Sequence, residues 1–217
     1  MTNVEATTTD RRRQRREEKR ARILVEAWFL AQRDGLAVIS LRDLADQVDL
    51  RQPSLYAYFD SKLALYDAMF ADGYRQLLDV VRARPSKKQP RPALADFVQL
   101  MVQFATEDIV RFQLLFQRTI PGFEPSPASY ALALEFTEVA GGMLAAAGVS
   151  GTENLDMFSA LVAGLCDQQV ANDPGGDRWV RLAGPAVAMF LADVDRRHAP
   201  SPKPVPKPQQ PPREKKR

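Results

Sequence analysis

Residues 39–62, ISLRDLADQVDLRQPSLYAYFDSK, read as two short helices joined by a tight turn. Ser40 and Asp43 have the S-x-x-D spacing of a capping box, and Ile39 and Leu44 stand where a hydrophobic staple needs them. This spacing predicts a helix from about Leu41 to Val48, with Leu41, Leu44, Ala45 and Val48 on one face. Asp49 and Leu50 break the period. A second helix is expected from about Gln52 to Tyr58, with Arg51, Gln52, Ser54, Tyr56 and Tyr58 outward and Leu55 and Phe59 inward. Such a pair, its second member bearing Gln, Ser and Tyr, suits a helix-turn-helix laid into a major groove of DNA.

The chain around this stretch reads as helical throughout, so the expected fold is all-α. A first helix is predicted from Asp10, a good N-cap, to Asp34, where Gly35 stops it. Ile23, Leu24, Ala27, Trp28 and Ala31 form its apolar stripe. Ser61 opens a further helix toward Val81, and the basic, proline-rich run 84–92, RPSKKQPRP, is a connection. Helical periods then recur over 93–106, 108–117, 128–147, 153–171 and 177–197. Residues 1–9 are expected to be disordered, as is the tail 199–217, with seven prolines in nineteen residues.

Charge is distributed unevenly. The net charge of +3 conceals +5 over residues 10–22, +5 over 199–217 and −7 over 92–198. A basic arm ahead of an acidic body is what a module facing phosphate at one end requires. The single cysteine, Cys166, excludes an internal disulfide framework and fits a reducing compartment. No apolar run approaches the roughly 18 residues needed to cross a bilayer. The charged N-terminal stretch has no apolar segment after it, which argues against a signal peptide. A cytoplasmic protein without a membrane partner is expected. Neither a phosphate-cradling glycine motif nor a histidine–carboxylate or metal-ligand cluster occurs, so enzyme activity and a cofactor are not expected. Cys166 has no basic neighbour to lower its pKa, and His198, the only histidine, cannot anchor a metal site or triad alone.

The helix-turn-helix resembles the DNA-binding domain of TetR-family transcriptional regulators. That family runs from a glycine ending the first helix, through a β-branched residue and an S/T-x-x-D/E cap, to L-Y-x-x-F-x-x-K. Here these are Gly35, Ile39, Ser40, Asp43, Leu55, Tyr56, Phe59 and Lys62. Two positions depart from the pattern. Asp49 replaces the usual turn glycine, and Arg51 replaces a capping Ser or Thr, which loses about 1 kcal/mol of cap but adds a positive side chain near DNA. The resemblance implies a DNA-binding domain over 10–70 and a helical effector-binding and dimerisation domain over 71–198.

It also implies roles for individual residues, each with a plainer alternative. Gln52 can pair with adenine or sit exposed at a helix start. Arg42 stands where the family's founding repressor places a base-reading arginine, and a phosphate contact is the alternative. Pro53 and Ser54 can touch bases or stabilise the helix start. Tyr56, Tyr58 and Lys62 are candidate phosphate contacts, which set register without reading sequence, and Arg51 is a candidate DNA contact through its positive side chain. Tyr56 can instead be a half-buried core ring. The arginines of the arm, Arg11, Arg12, Arg13, Arg15 and Arg16, can follow the DNA backbone or enter the minor groove, or remain a solvated helix end.

In the C-terminal region, Phe97, Met101, Phe104, Phe112, Phe116, Phe136 and Met143 are candidate walls of an effector pocket, with ordinary core packing as the alternative. Family members dimerise through their last two helices. Here the stripes Leu155, Phe158, Leu161, Val162, Leu165 and Leu182, Val187, Phe190, Leu191, Val194 are expected at that interface. Ala160, Ala163, Gly164 and Gly184 would allow close approach. The expected partners are therefore operator DNA, a second copy of the chain and a small-molecule effector. The preferred reading is a homodimeric repressor released from a palindromic operator; the alternative is a ligand-independent regulator or activator whose C-terminal domain only dimerises.

Overall fold

The computed structural model describes residues 2–84, 86 and 88–198, with side chains from Asp10 onward; the tail expected to be disordered, 199–217, lies outside the described residues. Among the described residues every regular element is helical: α1 Thr2–Asp34, a 3-10 turn Leu36–Val38, α2 Leu41–Gln47, α3 Gln52–Leu55, α4 Lys62–Ala83, α5 Pro90–Glu107, α6 Ile109–Phe116, α7 Pro127–Ala146, α8 Thr152–Asn172, a 3-10 turn Val180–Leu182, and α9 Ala183–His198.

Five of the helix starts have a visible local cause. Ser40 Oγ accepts from the Asp43 amide at 3.2 Å, Ser61 Oγ from Ala64 at 3.0 Å and Asp108 from Arg111 at 2.9 Å. These bonds satisfy donors that a helix start otherwise leaves unpaired. Pro90 and Pro127 stand first in α5 and α7, where a missing N–H costs nothing. Gly35, at φ 92°, ends α1 in a conformation an L side chain rarely adopts.

Three elements differ from expectation. α1 begins at Thr2 rather than Asp10, across the stretch expected to be disordered; no Gly or Pro interrupts residues 2–34, and Arg13–Glu17 and Gln14–Glu18 pair one turn apart. The recognition helix is one α-turn, Gln52–Leu55. It continues to Phe59 as turns in which Ala57 and Tyr58 donate to carbonyls three residues back. The helix expected from 177 begins at Ala183, because Gln169 holds the preceding segment in another shape. Its Nε2 donates to the Asp173 and Gly176 carbonyls, and its Oε1 accepts from the Trp179 and Val180 amides.

Two apolar cores result. The first joins Ile23, Ala27 and Trp28 of α1 to Leu44, Ala45, Val48, Leu55 and Phe59. Each fully buried Leu or Val among them contributes roughly 1.5–3 kcal/mol. The second lies among α5, α7, α8 and α9. α4 runs through both, giving Leu65, Tyr66 and Met69 to the first and Phe70, Tyr74 and Leu77 to the second. α6 also serves both: Leu114 packs in the first core, Phe112 and Leu115 in the second.

Polar groups bind the two units along this line. Trp28 Nε1 of α1 donates to Asp72 Oδ2 at 2.9 Å, Gln76 donates to the same oxygen at 2.7 Å, and Arg111 Nη1 donates to Gln76 Oε1 at 2.7 Å. Gln32 of α1 donates to Asp108, the cap of α6, at 2.7 Å. Asp67 of α4 accepts from Ser126 N and Oγ and from Ser129 Oγ, which ties down the start of α7.

Candidate nucleic-acid interface and ligand cavity

The helix-turn-helix is built on buried Leu44, Ala45, Val48, Leu55 and Phe59, which leaves Arg42, Arg51, Gln52, Pro53, Ser54 and Tyr56 exposed on the other side. Asp49 occupies the turn at φ 55°, the one positive-φ residue other than glycine among the described residues. Its short polar side chain makes that region tolerable, and Arg22 of α1 approaches it at 3.4 Å. Arg51 is the N-cap of α3 and makes no side-chain capping bond, so the departure from Ser or Thr leaves that helix start without its usual acceptor.

The arm of α1 borders this surface. Arg12, Arg15 and Arg16 line an open groove with Ala57 and Tyr58, and Arg16 donates to the Ala57 carbonyl at 2.8 Å. Arg11 is exposed, and Arg13 pairs with Glu17 at 2.9 Å. Tyr58 is half-buried and Tyr56 is 43% exposed, so the ring weighed as a core residue reaches well into solvent. Lys62, a candidate phosphate contact, is anchored within the chain. Its ammonium donates to the Ala37 carbonyl at 2.9 Å and lies 5.7 Å from the centre of the Tyr66 ring, which ties the start of α4 to the turn after α1.

The second unit encloses a cavity of about 320 Å³ among α4, α5, α6, α7 and α8. Phe97, Met101, Phe112, Phe116 and Phe136 line it as expected from sequence. Phe104 and Met143 do not. Phe104 is 1% exposed beneath the Arg111 guanidinium, 4.0 Å from ring centre to carbon, and Met143 faces a smaller hollow beside Val81 and Asp96. Each stands two turns beyond a cavity-lining residue on the same helix face, Phe104 beyond Phe97 and Met143 beyond Phe136, where the cavity does not reach, which an apolar count alone does not reveal.

Sequence reasoning missed Tyr74, Tyr130, Thr137 and Cys166, and it assigned Phe158 to a dimer face. The available signal is the run Tyr130, Ala133, Thr137, Ala140, in which small and aromatic residues follow one helical face.

The rings contact each other around the space. Phe97 stacks on Phe136 and on Phe158, each at 6.2 Å, and Tyr74 meets Phe116 edge-on at 5.8 Å. No charged side chain lines the cavity among the described residues. The Tyr74 hydroxyl donates to the Leu115 carbonyl at 3.3 Å, and burial holds its pKa well above the ordinary tyrosine value. Burial, then neighbouring Asp167, pushes the Cys166 thiol up to about 12, so it stays protonated and unreactive.

The expected dimer stripes require a correction. Phe158, Val162 and Leu165 of α8 and Val187, Phe190, Leu191 and Val194 of α9 are buried within the chain, packed chiefly toward α5. The outward faces carry Ala160, Ala163 and Gly164, with Met157, Leu182 and Met189 exposed beside them. The large residues went inward because α5 offers an apolar surface of its own.

Residues 23–69 match the family model described as bacterial regulatory proteins, tetR family. Comparison with curated proteins finds no match. Among solved structures, SCO4313, a candidate regulatory protein, is 22% identical with a TM-score of 0.68, over 83% of this chain and 98% of that one. A single-site TetR variant from Acinetobacter baumannii AYE in complex with minocycline is 19% identical with a TM-score of 0.57, over 83% and 98%. The TetR-family transcriptional regulator PfmR from Thermus thermophilus is 22% identical with a TM-score of 0.57, over 79% and 97%. These likenesses establish a shared helical fold.

Proposed function

We propose, from the match of residues 23–69 to the tetR-family model, that the chain is a DNA-binding regulator of transcription, a homodimeric repressor released from a palindromic operator by a small molecule. One observation carries the DNA-contacting part. Gln52, Ser54 and Tyr56 stand exposed above buried Leu55 and Phe59, beside a groove edged by three arginines of α1. Gln52 and Arg42 read bases; Arg51, Pro53, Ser54, Tyr56, Tyr58 and the arm hold backbone or base edges. Lys62 contributes by fixing α4, with spare N–H groups for a phosphate. Two copies joined through the small-residue faces of α8 and α9 form a four-helix bundle. This sets two recognition helices about 34–36 Å apart, on successive major grooves.

The effector enters the aromatic cavity; the related fold from Acinetobacter baumannii holds minocycline. α6 transmits the event. It carries Phe112 and Phe116 on the cavity wall and Leu114 in the DNA-binding core, and Arg111 and Asp108 tie it to α4 and α1. A ligand that fits better with α6 displaced shifts the population toward a helix spacing the operator does not accept.

The test is fluorescence anisotropy with DNA flanking the protein's own gene, at several salt concentrations. Saturable, salt-sensitive binding to one fragment that Gln52→Ala weakens is the expected result. Equal weak binding to every fragment contradicts sequence reading there, and no binding at low salt overturns the proposal.

A further inference from the structure

A smaller cleft of about 190 Å³ adjoins the aromatic cavity, and the two share Tyr74, Phe116, Tyr130 and Ala133 as walls. They differ in character. The cavity has no charged wall among the described residues, whereas the cleft is apolar at Phe70, Leu114 and Ile120 and polar at Gln117, Arg118 and Glu124. Two of the shared walls are rings, Phe116 and Tyr130, that are 38% and 49% exposed. Exposed side chains change rotamer on the nanosecond scale, so these two rings are the movable part of the shared wall.

We propose that cavity and cleft form one channel for an elongated, uncharged amphiphile. Its apolar chain lies among the phenylalanines, and its hydrogen-bonding end group lies at Gln117, Arg118 and Glu124. This rests on the ligand-responsive reading above and names the effector's chemical class. The charges at the rim select the end group. A carboxylate would be drawn to Arg118 but repelled by Glu124 and the carbonyl end of α6, and an ammonium would be drawn to Glu124 but repelled by Arg118. A hydroxyl donates to one and accepts from the other. Gln117 already donates its Nε2 to Asp167 at 2.8 Å, which leaves its carbonyl oxygen to accept from the ligand. An ion deeper in the cavity would lose its hydration with no partner.

The outer wall of the cleft also gives the ligand a path to the DNA-binding core. Phe123 packs against both cores, with its ring 6.0 Å from Tyr66 and 6.1 Å from Phe70.

Calorimetric titration of the full chain with hexan-1-ol, octan-1-ol and decan-1-ol, beside decanoate and decylammonium, tests this. Affinity should rise roughly fourfold per methylene, and decan-1-ol should bind more tightly than either charged analogue. Ile120 lines the cleft and not the cavity. Ile120→Trp should therefore end the rise at a shorter chain than in the wild type, and Ile120→Ala should extend it or leave it unchanged. The same cut-off length in all three proteins confines the ligand to the cavity and overturns the channel. Tighter binding of decanoate or decylammonium overturns the uncharged end group. If no alcohol binds, the apolar-effector premise fails with it, while the DNA assay still stands on its own result.

Discussion

At the level of single residues, the two departures from the family pattern make opposite predictions. Asp49 holds φ 55° in the helix-turn-helix. A β-branched side chain there meets its own backbone, so Asp49→Val should cost about 1–2 kcal/mol, read from the urea midpoint. Asp49→Gly should be neutral or slightly stabilising; a loss comparable to that of Val would mean that the Arg22 contact, not the backbone, is the reason for Asp. Arg51 caps α3 without a capping bond. Arg51→Ser should add about 1 kcal/mol of stability. It should also lower the slope of log affinity against log salt by about 0.9 if the guanidinium meets a phosphate. An unchanged slope would place Arg51 away from the DNA backbone.

Between elements, the segment before α9 depends on one side chain. Gln169 is fully buried and serves four backbone groups of the loop that joins α8 to α9. Each buried polar group left unpaired costs roughly 1–3 kcal/mol, so Gln169→Ala should lower stability by more than about 2 kcal/mol in urea unfolding. A smaller loss would mean that water replaces the amide. A comparable dependence holds between α4 and α6. A methyl at Gly73 would stand 3.0 Å from Leu115 Cδ2, and overpacking of this kind costs typically about 1–3 kcal/mol unless the neighbour turns away. Gly73→Ala should lower the melting temperature and weaken coupling between ligand and DNA, because α6 lines the cavity and also packs into the core of the helix-turn-helix unit.

Across the whole molecule, the outer faces of α8 and α9 and the ion pairs of the second unit govern behaviour. Ala160, Ala163 and Gly164 are exposed small residues, and Gly164 has open space where a side chain would begin. Gly164→Glu should leave the monomer folded and abolish the dimer in sedimentation; a persisting dimer would place the interface elsewhere. Acid should weaken the second unit. Arg91 holds the Asp195 carboxyl below the usual range, Arg196 and Arg197 do so for Asp193, and Lys88 with Ser86 for Asp96. Groups whose folded pKa is lowered contribute stability that is complete above the ordinary value of 3.8 and lost as pH falls through the lower folded values. The urea midpoint should therefore drop below about pH 4, and less steeply in Asp195→Asn; these exposed pairs make the effect small.

Much of the DNA-binding unit was legible in the amino-acid order, because its causes are local. Ser40 to Asp43, Ser61 to Ala64 and the spacing of Leu44, Ala45, Val48 and Leu55 act within one or two turns, so residue identity and offset suffice. The length of α3 was not legible, because one α-turn and the looser turns that follow place Leu55 and Phe59 inward alike. The aromatic cavity was legible only in part. Its rings come from five helices far apart in sequence, and Phe97 and Phe104 share one face of α5, so only the packing of α6, α7 and α8 decides how far along that face the cavity extends. The same holds for α8 and α9, whose apolar stripes could have met a second chain or α5. α5 took them because it lies within the same chain and offers its own apolar surface, leaving the small residues outside. Sequence determined which turns and caps form; long-range packing decided which faces are walls, which are core and which remain free.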